Sequence, residues 1–208
     1  MKLAERVSGI SESPTLAVSA RASVLRAQGI DVIDFSAGEP DFPTPENIKK
    51  QGIHAIESNF TKYTATAGIK KLRDKVAERY QQTYGYPFKA ENVILSNGAK
   101  QALFNLFLCL IEEGDEVLIP VPFWVTFPEQ VRLAGGTPVF IPSKAEEQFE
   151  LKVEEVESRI TPKTRVLLLN SPNNPSGAVI SRKTLSDLVQ ICRERDIKII
   201  FDFSKVKP

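Results

Sequence analysis

The sequence predicts an α/β fold: a mostly parallel sheet flanked by helices, preceded by an N-terminal arm. Two observations carry that expectation. Short apolar or β-branched runs alternate with longer stretches whose apolar residues recur three and four apart, the pattern of βαβ units. Turn-forming clusters at Gly114-Asp115, Gly135-Gly136 and Pro172-Asn173-Asn174-Pro175 separate these segments.

Five strands are expected, at 93–96, 116–120, 137–141, 165–169 and 198–202. The intervening segments place Leu103, Phe107 and Leu110, and again Leu185, Leu188, Ile191 and Cys192, on single helix faces able to cover a sheet. Further helices are expected over 46–58 and 69–84, the first introduced by Pro45, whose fixed φ suits a helix start. Residues 1–45 differ from the rest, with a helical pattern over 16–27, a short strand at 32–35 and a loop rich in Gly and Pro. They read as an arm and a segment of a second, smaller domain, and residues 46–208 as the larger α/β domain.

A chain of 208 residues, 42% of them hydrophobic, is long enough to bury a substantial core. Its 27 basic and 26 acidic residues nearly cancel, so no global field draws it to nucleic acid or an anionic membrane. A small polar metabolite is the expected partner. The opening residues carry charges where a signal peptide needs an apolar run, and no stretch approaches membrane-spanning length, so a cytoplasmic protein is expected. Cys109 and Cys192 both lie in apolar patterns and read as small core residues, not as a disulfide framework. His54, the single histidine, excludes a multi-histidine metal site and reads as part of an amphipathic helix; no metal ligand is assigned.

In open parallel sheets, ligands bind where strand carboxyl ends lead into helices. Ser96-Asn97-Gly98-Ala99-Lys100 occupies one such junction, with small residues that let an anion approach free N–H groups and a lysine to add charge; an ordinary helix cap fits equally well. Trp124, the only tryptophan, follows the second expected strand, where it can either stack on a flat ligand or join the core. The stretch from Asn170 to Gly177 combines prolines and a glycine that restrict the backbone with asparagine amides able to donate to an oxygen, a combination a plain turn does not need. Asp202 closes an apolar run, where a carboxylate needs a cation, a helix N-terminus or a surface ion pair.

Four stretches then stand together: Ser36-Ala37-Gly38-Glu39-Pro40-Asp41-Phe42, Lys62-Tyr63-Thr64-Ala65-Thr66-Ala67-Gly68-Ile69, Ser96 to Leu103, and Asn170 to Gly177. In order and spacing they resemble the N-terminal half of pyridoxal-phosphate aminotransferases of class I/II, fold type I, and more narrowly the prokaryotic aspartate aminotransferase family. The resemblance runs through Asp202. It implies pyridoxal 5'-phosphate as cofactor, with Gly98, Ala99 and Lys100 in the loop that holds its phosphate and Trp124 stacked on its ring. By the same resemblance Asn174 binds the ring's phenolate oxygen and Asp202 pairs with the protonated pyridine nitrogen. Tyr63 reaches the phosphate of a neighbouring subunit's cofactor, implying a homodimer. Substrate contacts are assigned to Gly38, Trp124 and Asn174. The implied reaction is amino transfer between an amino acid, aspartate or glutamate in preference, and a 2-oxo acid.

One departure matters. The family carries a tyrosine three residues after the aspartate, where this sequence has Lys205, and the Schiff-base lysine later still would lie beyond residue 208. No catalytic residue is therefore assigned, and the expectation is a truncated chain inactive by itself, its lysine tail solvated. An alternative is a non-catalytic truncated product that dimerises with a full-length relative and modulates it. An unrelated nucleotide-binding α/β domain is disfavoured because no glycine-rich dinucleotide loop is present.

Overall fold

A computed structural model of the chain describes residues 4–10, 14–36, 38 and 40–203, with the side chains of Glu5, Pro14 and Thr15 left aside. Lys205 lies outside the described residues. The helices and strands, in chain order, are α1 (Glu5–Ser8), α2 (Pro14–Ala27), α3 (Glu46–Glu57), α4 (Lys70–Tyr84), α5 (Ala99–Leu110), β1 (Glu116–Pro120), α6 (Thr126–Leu133), β2 (Thr137–Ile141), α7 (Val153–Glu157), β3 (Thr164–Asn170), α8 (Arg182–Glu194) and β4 (Lys198–Asp202). Contacts gather them into two compact units, one from Pro14 to Ser96 and one combining Met1–Ser13 with Asn97–Pro208.

The second unit holds a four-stranded parallel sheet in the order β2-β1-β3-β4. Central β1 and β3 are apolar almost throughout, as strands covered on both faces must be. Their side chains alternate between two cores. Val117, Ile119, Val166 and Leu168 join Leu103 and Phe107 of α5 and Phe127 and Val131 of α6. Leu118, Leu167 and Leu169 join Val156 of α7 and Leu188 and Cys192 of α8 on the other face. Edge strands β2 and β4 are less buried. At the start of α8, Ser181 Oγ accepts the N–H of Thr184 at 3.0 Å, a side-chain N-cap.

In the other unit, α3 begins where expected, with the carbonyl of Pro45 accepting N–H groups of Ile48 and Lys49. Helix α4 ends on Gly85, whose φ of 72° supplies the left-handed cap.

Three expectations are corrected. Residues 93–96 form no strand; Val93 has an extended backbone, but Leu95 N–H donates to Ala67 O instead of joining a ladder. Residues 32–35 are likewise not a strand. A β-branched run becomes a strand only beside a partner in register, and neither segment has one among the described residues. Cys109 is exposed, whereas Cys192 is buried as expected. Helix α5 carries apolar residues beyond the face that packs on the sheet, so Leu103 and Phe107 are buried while Leu106, Leu108 and Cys109 stay exposed.

Candidate functional site

The loops that follow parallel strands emerge at one edge of the sheet. Here they carry Trp124 after β1, Asn174 after β3, and Asp202 at the end of β4. Helix α5, which packs under the same sheet, starts at Ala99 with Gly98 as its N-cap.

The α5 N-terminus is open. Gly98 has φ +82°, a conformation favoured by glycine, and nothing stands within 4 Å of where a Cβ would project. No side chain caps the helix among the described residues; Ala102 N–H donates to Gly98 O at 3.3 Å, and the N–H groups of Ala99, Lys100 and Gln101 have no partner among the described residues. Gln101 Oε1 instead accepts the N–H of Asn97 at 2.6 Å, which holds the loop ahead of the helix. Ala99 and Lys100 are exposed. The Lys100 ammonium sits 5.8 Å from the ring centroid of Trp124, within reach of a cation–π contact. Trp124 itself is half-buried, packed against the core on one side.

Asparagines tie the strand-end loops together. Asn173 Nδ2 donates to Pro122 O at 3.0 Å, joining the loop after β3 to the loop after β1. Asn173 Oδ1 accepts from both N–H and Oγ–H of Ser176, closing the turn. Asn170 is the buried hub: its Nδ2 donates to Asp202 O at 2.9 Å and its Oδ1 accepts the Asn174 N–H at 2.7 Å. Asp202 O accepts a second bond, from Ser171 N–H at 3.2 Å. One side chain thus fixes the backbones of both Asn174 and Asp202. The loop contains cis peptide bonds at Ser171-Pro172 and Asn174-Pro175, and that after β1 at Val121-Pro122.

The donor set suits a particular class of ligand: free N–H groups and a lysine for an anion, an aromatic face for a flat ring, an amide for an oxygen and a carboxylate for a protonated nitrogen. Gly98, Ala99, Lys100, Trp124, Asn174 and Asp202 all belong to the sheet-bearing unit. Gly38 and Tyr63 belong to the other. Gly38 is exposed, with open space at its α-carbon, and the Tyr63 side chain is fully exposed at 107%.

A cavity of about 530 Å³ also opens near this edge, lined among others by Pro122, Phe123, Ser143, Asn170, Asn173 and Ser181. None of the candidate ligand-binding residues lines it. Its asparagines and Ser181 spend their polar groups on Asp202, Asn174, Pro122, Ser176 and Thr184, and Ser143 Oγ donates to Val121 O.

Asn170, Asn173 and Gln130 are absent from the sequence-derived set of binding residues. Two of them carried a signal: Asn170 is a polar residue ending an apolar strand, and Gln130 occupies an inward position of the α6 stripe beside Phe127 and Val131. Among the described residues, no three His, Cys, Asp or Glu side chains gather as a metal site, and no helix is long and apolar enough to cross a membrane.

Residues 30–204 match the family model for aminotransferase class I and II. The chain is 47% identical over 200 residues to a probable aspartate/prephenate aminotransferase of Aquifex aeolicus, covering 96% of this chain and 51% of that protein. It is 43% identical over 202 residues to aspartate aminotransferase of Bacillus subtilis, again 51% of the relative. Among solved structures, aspartate aminotransferase from Thermus thermophilus with maleate superposes with a TM-score of 0.93 at 42% identity, covering 97% of this chain and 53% of that one. The chain thus spans about half the length of the relatives it matches.

Proposed function

The chain belongs to the aminotransferase class I and II family, and from that premise we propose that it forms the cofactor-cradling part of a pyridoxal-phosphate aminotransferase acting on a dicarboxylic amino acid, aspartate or glutamate, and a 2-oxo acid. The observation that carries the reading is the junction of an uncapped helix start at Gly98 with a lysine–tryptophan contact beside it. Maleate, present in the Thermus thermophilus structure, is itself a dicarboxylate, which supports the substrate class. The relatives' names leave prephenate within that range.

When bound, the cofactor supplies the electron-withdrawing ring that lets an amino acid exchange its amino group. The residues of this chain bind and tune. First-turn N–H groups of α5 and the Lys100 ammonium hold the phosphate. Trp124 stacks on the ring and excludes water from one face. The Asn174 amide donates to the phenolate oxygen, and the Asp202 carboxylate holds a proton at the pyridine nitrogen. Gly38, Trp124 and Asn174 face substrate. In this reading 1–45 serve as arm and small-domain segment, 46–208 as part of the cofactor-binding domain, and Tyr63 crosses to a second subunit of a cytoplasmic homodimer.

The test is titration of the 208-residue chain with pyridoxal phosphate, followed by quenching of the single tryptophan and by visible absorbance after borohydride. Saturable quenching that weakens in Asp202→Ala and Asn174→Ala, with no amino transfer from aspartate, is the expected result. Absence of saturable quenching sinks the cofactor reading. Amino transfer by the chain alone, or a stable reduced adduct at Lys205, refutes its expected inactivity.

A further inference from the structure

Helix α6 places a polar side chain where its packing calls for an apolar one. Gln130 is only 9% exposed and lies on the inward face of α6 with Phe127, Pro128 and Val131. Its Nε2 donates to the backbone oxygen of Lys100, in the first turn of α5, at 2.7 Å. Its Oε1 is buried and has no hydrogen-bond partner among the described residues. The amide cannot be turned over, because that would set two oxygens 2.7 Å apart.

A buried amide with one atom unsatisfied is costly, and an unbranched apolar side chain of similar length would fill the same space without that cost. Packing alone therefore gives no reason for glutamine here. What the amide does is geometric. Lys100 now touches the β1–α6 region twice, through its ammonium to the ring of Trp124 and through its carbonyl to Gln130. Phe127 N–H donates to Trp124 O at 3.0 Å, so Trp124 and Gln130 are connected through the start of α6. The result is a closed circuit: the α5 first turn, Gln130, α6, Trp124 and back to Lys100.

We infer that Gln130 is a positioning residue for the anion cradle, fixing the distance between the free N–H groups at the start of α5 and the ring of Trp124. The inference rests on the cofactor reading proposed above and narrows it: Gln130 sets recognition of the phosphate while leaving recognition of the ring to Trp124, Asn174 and Asp202. The predicted signature is therefore a change in the ratio of two affinities. A glutamine that merely packed would change both affinities together, or neither.

The probes are pyridoxine phosphate and pyridoxine, which share the ring, lack the aldehyde that reacts with surface lysines, and differ by the phosphate. Each is titrated into the 208-residue chain and followed by quenching of Trp124, the only tryptophan. Gln130→Met removes the donor while keeping length and apolar contact; it should weaken pyridoxine phosphate roughly fivefold, the worth of one hydrogen bond, and leave pyridoxine unchanged. Gln130→Glu should lower the ratio in the same way near pH 8. Near pH 5 its buried carboxyl is protonated and again donates to the Lys100 carbonyl, so the ratio should return to that of the parent chain measured at that pH. Ratios equal to the parent in both variants overturn the inference. So does equal weakening of both probes, which marks a packing role. If the parent chain binds neither probe, the cofactor reading falls first; if it binds both with no preference for the phosphate, there is no cradle for Gln130 to position.

Discussion

Asn170→Ala should destabilise the sheet-bearing unit by about 2–3 kcal/mol, a magnitude that follows from its two hydrogen bonds. The side chain is 8% exposed, so water cannot simply replace it. Loss of Nδ2 leaves Asp202 O with its remaining bond from Ser171 N–H, so that side costs about 1 kcal/mol, the net worth of one hydrogen bond. Loss of Oδ1 deprives the half-buried Asn174 N–H of its acceptor, which costs about 1–2 kcal/mol where solvent reaches only part of the loop. Asn170→Asp sharpens the test. It has the same shape and keeps the acceptor for Asn174, but sets a carboxylate oxygen 2.9 Å from the Asp202 carbonyl in place of a donor. Urea denaturation at neutral pH should find Asn170→Asp no more stable than Asn170→Ala. An aspartate variant as stable as the parent, or an alanine variant within about 0.5 kcal/mol of it, would refute the hub role.

Gly68→Ala should be strongly destabilising, because φ is +98° and a Cβ would meet Leu95 Cδ1 at 2.6 Å; a fall in the thermal midpoint no larger than that of a surface substitution contradicts this. Ser181→Ala removes the N-cap of α8 and should cost about 1 kcal/mol in urea, with Ser181→Gly costing less. Iodoacetamide at mildly alkaline pH should label exposed Cys109 and spare buried Cys192 in the folded chain, which mass spectrometry of peptides resolves. Burial pushes the Cys192 thiol up from 9.0 to about 11, so the fold favours its protonated form. That contribution is fully present below pH 9 and is lost as pH rises towards 11, by at most 2–3 kcal/mol, on the order of the shift itself. The difference in urea midpoint between parent and Cys192→Ala, followed from pH 8 to 11, should therefore shrink; a constant difference would show that the thiol is not desolvated.

How much was legible in the sequence depended on whether a feature is local. The runs at 116–120, 137–141 and 198–202 became strands with those bounds, and 165–169 gained one residue at each end. Their short, continuous apolar runs and flanking turns state both element type and length. The helix start at Glu46 was equally readable from Pro45. The four motif stretches, read in order, identified the family before any contact was known.

Pairing and coverage were decided by the tertiary structure. Residues 93–96 have strand composition and no ladder, because hydrogen-bonded pairing is a property of two segments. Cys109 lies in as apolar a sequence as Phe107, yet only the face of α5 turned to the sheet is buried. The same logic separates the residues of the site. Trp124, Asn174 and Asp202 stand out in the sequence at or just after apolar strand runs, and Gly98 and Lys100 at a helix start. Asn170 and Gln130 acquire their roles from backbone atoms 32 and 30 residues away, Asp202 O and Lys100 O, which only the folded chain brings within hydrogen-bonding distance.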